Sequence, residues 1–231
     1  MSDRIAGVYA AVSQQMLADA AIGATAAEVA YMGTLTAAAW WWRRGGRDSD
    51  ADGAVIALVS DLAAADPITT AAALELGEAG QGRVAVWMDR HFEDIAARAE
   101  SLLESAGGVP AAPVVELLGL HPDQVECAVT HRRSAQLIAL DTGACTVADA
   151  VICGAVAEAK MLHELAGSRA GDPLELAQLM LVDPLVATAV WERGAGRCLY
   201  LWRWISGEWP AVANWAATMN SIVLWEKEVM G

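Results

Sequence analysis

A nine-residue pattern occurs twice in the chain, as Thr25-Ala-Ala-Glu28-Val-Ala-Tyr-Met-Gly33 and as Thr146-Val-Ala-Asp149-Ala-Val-Ile-Cys-Gly154. Each copy opens on a residue that caps helices, places an acid three positions on, and ends on glycine after an apolar run. Both therefore read as the start of a buried helix whose acid reaches back to the cap amide. The offset of 121 also aligns Ser13-Gln-Gln15-Met-Leu-Ala18 with Ser134-Ala-Gln136-Leu-Ile-Ala139. Further along, Asp66-Pro67 corresponds to Asp183-Pro184 at an offset of 117, and Gly82-Arg83 before Trp87 to Gly196-Arg197 before Trp202 at 114. The order persists while the offset drifts, as small deletions leave it.

A repeat of this length fixes the expected architecture before any single helix does. The expectation is an all-α protein of two similar helical halves, an internal duplication packed into one compact body. The N-terminal helical repeat spans 1–106 and the C-terminal one 118–231. Residues 107–117, with Gly107-Gly108, Pro110 and Pro113, form a linker too short to let the halves swing freely.

Within the first half, Ile5, Val8, Val12, Met16 and Asp19 fall on one helical face, predicting a helix from Asp3 to Ala20. Arg43 to Gly53 reads as a charged loop, Ala54 to Ala65 as a short apolar helix, and Gly77 to Gly82 as a glycine-rich turn before a long helix, Val84 to Glu104. Three Asp-Pro pairs, at Asp66, Asp172 and Asp183, predict helix starts, with the carboxylate capping and proline in the first turn. Val125 to Leu140 fits a hairpin as readily as a helix, and the repeat assigns it as helix. Val147 to Leu165 is a helix stopped by Gly167, and a last helix starts near Pro210 with Val212, Trp215, Met219, Ile222 and Val229 as its apolar stripe.

The net charge of −14 is shared as −9 before Leu118 (seven basic against sixteen acidic residues) and −5 after it (eight against thirteen). Neither half attracts a phosphate backbone, so a nucleic-acid partner is not expected. Cys127, Cys145, Cys153 and Cys198 show no zinc-ligand spacing and sit among apolar neighbours, which predicts buried free thiols. Those thiols, together with a start that lacks a basic and apolar leader, point to the cytoplasm. Ile22 to Trp42 is apolar apart from Glu28 and ends in tryptophans and Arg43-Arg44, the pattern of a membrane span. Its alanine content and its charged counterpart around Asp149 argue against a membrane.

Ten tryptophans against one phenylalanine is an unusual choice, since phenylalanine fills cores without an N–H to satisfy. Trp40, Trp41 and Trp42 point about 100° apart on a helix, so they fan too widely for all to enter one core. With Arg43 and Arg44 they resemble an interface hot spot, and Tyr200, Trp202, Trp204, Trp209, Trp215 and Trp225 form a second group near the end of the chain, of which Trp202, Trp204 and Trp209 are the expected contact residues. No phosphate loop, dinucleotide glycine pattern or nucleophile elbow is present. Glu126 to His131 and Glu158 to His163 are five apart, which on a helix separates the side chains, so no metal site and no cofactor is expected. The expectation is an assembly or regulatory component that binds a protein partner or itself, as a homo-oligomer, through Trp-rich surfaces. The alternative is an enzyme or carrier with a Trp-lined pocket between the halves, using His91, Asp89 and His163 for acid–base or metal chemistry.

Overall fold

The structure is a computed structural model that describes residues 2–20, 23–44, 58–60, 62–63, 66–110, 118–142, 145–167 and 180–230. The fold is all-α: among the described residues there is no strand. The helices are α1 (Ser2–Ala20), α2 (Ala26–Arg44), α3 (Pro67–Ser105), α4 (Pro122–Asp141), α5 (Val147–Ala166), α6 (Pro184–Gly207) and α7 (Trp209–Met230). They divide between two compact units, Met1–Pro110 with Asp183–Thr188, and Ala111–Val182 with Ala189–Gly231.

In the first unit α1, α2 and α3 pack against one another. Val8 and Tyr9 of α1 meet Ile95 and Ala99 of α3, and Trp40 and Trp87 close the edge of that cluster. Alanines at 26, 27, 30, 38 and 39 are buried on α2, and side chains this small let the neighbouring helices approach. In the second unit α5 is the most buried element. Every residue from Val147 to Ala157 is buried, as expected of a helix that is apolar all round. It packs on α4, which also carries α7. The segment at 125–140, equivocal in sequence, is helical throughout.

The caps lie where the sequence places them. Thr25 Oγ1 accepts from Glu28 N at 3.2 Å, and Glu28 Oε2 accepts from Thr25 N at 3.0 Å. Asp66 accepts from Thr69 N at 3.0 Å, and Asp183 from Leu185 N at 2.9 Å. The third Asp-Pro pair, at Asp172, lies outside the described residues, as do residues 45–57 of the expected loop and short helix and 111–117 of the linker. Two sequence boundaries shift: α2 runs on through Arg43 and Arg44, and the expected turn at Gly77 to Gly82 contracts to a single residue.

That residue is Gly77, with φ 59° and ψ 179°, and α6 has the same break at Gly194, with φ 71° and ψ 165°. Helix continues on either side of both. Such angles belong to a region essentially closed to residues with a Cβ. Replacing Gly77 or Gly194 by alanine is expected to cost at least about 1 kcal/mol each, although both sites have open space around them, because the loss is backbone strain. Urea unfolding followed by circular dichroism measures it.

Among the described residues no helix is long and apolar enough to cross a membrane. The alanines that lower the hydropathy of α2 are the ones its neighbours pack against.

Candidate functional site

Asp149, the acid of the second pattern, has 0% of its surface exposed. An ionised carboxylate without partners is too costly to bury, and α6 supplies the partners. Arg193 Nε donates to Oδ1 at 2.8 Å, while Arg197 donates from Nη2 to Oδ2 at 2.5 Å and from Nε to Oδ1 at 3.2 Å. Burial pushes the carboxyl pKa up, but the Arg197 hydrogen bonds and the charge of both guanidiniums outweigh that and hold it below the usual aspartate range. The sequence pattern predicts Asp149 as a capping acid like Glu28. Thr146 Oγ1 does accept from Asp149 N at 3.3 Å, yet the carboxylate itself faces the arginines. In the first unit Glu28 keeps its cap bond and lies only 3.7 Å from Arg83.

Thiols adjoin this ion cluster. Burial, with the neighbouring thiol Cys145 and the Asp149 charge adding to it, pushes the Cys153 thiol up to about 12. Burial also raises Cys198. Both are protonated at neutral pH, and protonated thiols are poor nucleophiles. A carboxylate held by two guanidiniums is likewise a poor general base. The cluster therefore positions structure, fixing α6 against the N-terminal turn of α5.

The helix it fixes carries exposed aromatic side chains. Trp191, three residues before the break in α6, is 88% exposed, and Tyr200, three after Arg197, is 55% exposed with its ring 4.9 Å from the Arg197 guanidinium. Leu199 on the same helix and Trp215 on α7 are also exposed. Trp215, which the sequence puts both on the apolar stripe of the last helix and in the second aromatic group, is exposed, whereas Val212 of the same stripe is buried.

No protein-family model, curated protein or solved structure matches the chain.

The expected contact residues divide. Trp40, Trp41 and Trp42 are all half-buried. Trp40 packs 5.8 Å from the Tyr9 ring and 5.0 Å from Trp41, and Arg44 lies 5.3 Å above it. Arg43 sits 3.7 Å over the Phe92 ring and bonds Glu93 at 2.6 Å. In the second unit Trp202 and Trp204 are half-buried, and Trp209 is clasped between His131, stacked at 5.5 Å, and Lys160, 4.0 Å from its centroid. These indoles are therefore each partly out of water already. Trp191 was not singled out by the sequence argument. Its signal is Trp191-Glu-Arg-Gly194, a large apolar residue abutting a break in the helix.

The candidate acid–base residues do not form a constellation within either unit. Asp89 is exposed on α3; His91 on the same helix stacks 4.3 Å from Trp87 with its Nδ1 4.0 Å from Asp94. His163 belongs to the second unit, where its Nδ1 is buried without a hydrogen-bond partner among the described residues. Among the described residues no group of three histidine, cysteine or acidic side chains is placed to hold a metal ion. The first unit has a cavity of about 300 Å³ bounded by small residues such as Ala10, Ala30 and Gly33. None of its described lining residues is a tryptophan, and its hydroxyl groups are already paired. The Thr34 and Thr69 hydroxyls lie 2.7 Å apart, and Asp66 holds Thr69.

Proposed function

We propose that the chain is an assembly or regulatory component of the cytoplasm that works by protein–protein contact, the contact surface lying on the outer faces of α6 and α7. The observation that carries this reading is the Trp191 indole, 88% exposed beside a cluster of ions that fixes its helix. Tryptophan is enriched among binding hot spots, and burial of a large exposed apolar ring on a partner contributes about 2–3 kcal/mol. The acidic balance of the chain supports a protein partner over a nucleic acid, and its free thiols support a reducing compartment.

Photo-crosslinking tests the surface. A photoreactive residue at position 191 is expected to capture a partner covalently under native conditions, while the same residue at Val129, an exposed apolar position on α4, captures far less. Equal capture at both positions, or none at 191, would sink the reading.

A further inference from the structure

We propose that the cavity of the first unit binds a small organic ammonium, a positive charge carried on an apolar body of about one ring. This site is separate from the contact surface on α6 and α7 and does not depend on it.

All the described residues that line the cavity belong to the first unit, including Leu185 in the first turn of α6. Most of the wall is apolar, from Ala10 of α1, Ala30 and Ala37 of α2 and Ile68 of α3. At about 300 Å³ the space is twice the ~150 Å³ of an apolar cavity that takes up benzene, so one ring with a short tail fits.

The internal hydrogen bonds decide what that tail carries. Thr69 has one hydroxyl proton, which goes to Asp66 Oδ2 at 2.5 Å. The Thr34 hydroxyl, 2.7 Å from Thr69 Oγ1, therefore donates to Thr69 and keeps only lone pairs. Gln14 Nε2 donates to Val29 O at 3.2 Å, which fixes the amide and leaves Oε1 as an acceptor. Asp66 Oδ2 accepts from Thr69 N as well, while Oδ1 has no hydrogen-bond partner among the described residues. Against these three open acceptors the lining side chains have one donor to spare, the second N–H of Gln14. Asp66 is also the one charged residue among the described lining residues, and it is half-buried. The α3 dipole, about half a positive charge at its N-terminus, offsets only part of that carboxylate. A ligand matching this lining brings hydrogen-bond donors and positive charge at one end and apolar surface at the other. A carboxylate or phosphate would set anion against anion.

Calorimetric titration of the full chain tests this with 2-phenylethylammonium, 2-phenylethanol and phenylacetate, which share a ring and differ in the charge of the tail. The ammonium is expected to bind at least about tenfold more tightly than the alcohol, and phenylacetate not at all. Asp66→Asn keeps an acceptor at the α3 cap and so preserves the helix start. It should weaken ammonium binding at least about tenfold and leave the alcohol unchanged. Ala37→Leu, at a half-buried position, fills the cavity and should abolish binding of both ligands without altering the charge of the chain. Ala10→Leu does the same from α1, so a fold lost in one variant, as seen by circular dichroism, leaves the other as the test. Ammonium binding that survives a folded cavity-filling variant is attraction to an acidic chain at large, and it overturns the proposal. So does an affinity untouched by Asp66→Asn, equal binding of the ammonium and phenylacetate, or no ammonium binding at millimolar concentration.

Discussion

Replacing Asp149 by alanine is expected to lower the stability of the second unit by about 3 kcal/mol, the low end of what removing one member of a buried ion pair costs. The low end applies because the carboxylate is fully buried while the Arg193 and Arg197 side chains keep 29% and 33% of their surface. Once Asp149 is gone the guanidiniums can regain water, so only part of the penalty for a stranded charge remains. For a chain of this size that loss corresponds to roughly 6–12 °C in melting temperature. Asp149→Asn keeps the shape and one acceptor but loses the charge, and its loss should fall between wild type and alanine. A double-mutant cycle with Arg197→Ala isolates the coupling, which is expected to exceed that of Glu28 with Arg83, separated by 3.7 Å with Arg83 largely in water.

The same residue sets an acid limit. Its folded pKa lies below the ordinary aspartate value, so its contribution is complete above about pH 4 and is lost as pH falls through the folded value. Urea midpoints measured by tryptophan fluorescence from about pH 5 down to pH 2 should fall more steeply for wild type than for Asp149→Asn, which has no proton to take up there. Parallel curves would show that the carboxylate is not held ionised by its arginines.

Local structure was legible in the sequence wherever one residue dictates it. Thr25, Asp66, Thr146 and Asp183 cap the helices they were expected to cap, because a side chain two or three residues from the amide it binds needs no tertiary knowledge. Residues 125–140 are helical, as the repeat expectation has them, against their own mixed propensities. Asp149 shows where this stops. Its spacing from Thr146 fits a capping box, and nothing nearby announces two arginines arriving from residues 193 and 197. The tryptophans fail in the same way. The sequence groups Trp40 to Trp42, and Tyr200 with Trp202, Trp204, Trp209 and Trp215, but exposure depends on which side of a helix its neighbours occupy, and of these only Tyr200 and Trp215 are exposed. The isolated Trp191 is the most exposed of the large apolar side chains described.

The other large effect is expected at Gly154, where size decides and not backbone angles. A Cβ there would stand 2.7 Å from Gln136 Cγ, 2.8 Å from Nε2 and 2.9 Å from Cδ, so the whole stem of a buried side chain is in the way. Gly154→Val should cost about 2 kcal/mol, within the usual range for overpacking, and the extra truncation Gln136→Ala should return much of it. At Gly33 the corresponding obstacle is Gln14, but the nearest atom is the amide nitrogen at 2.5 Å, Cγ stands at 3.3 Å, and Gln14 is only half-buried. That amide can swing aside, giving up its 3.2 Å bond to Val29 O, while alanine gains about 1 kcal/mol of helix propensity over glycine. Gly33→Ala is therefore expected to be close to neutral in urea unfolding. The same glycine in the same repeated pattern thus tolerates a methyl in one unit and not in the other, because one glutamine ends in partial solvent and the other lies wholly between two helices.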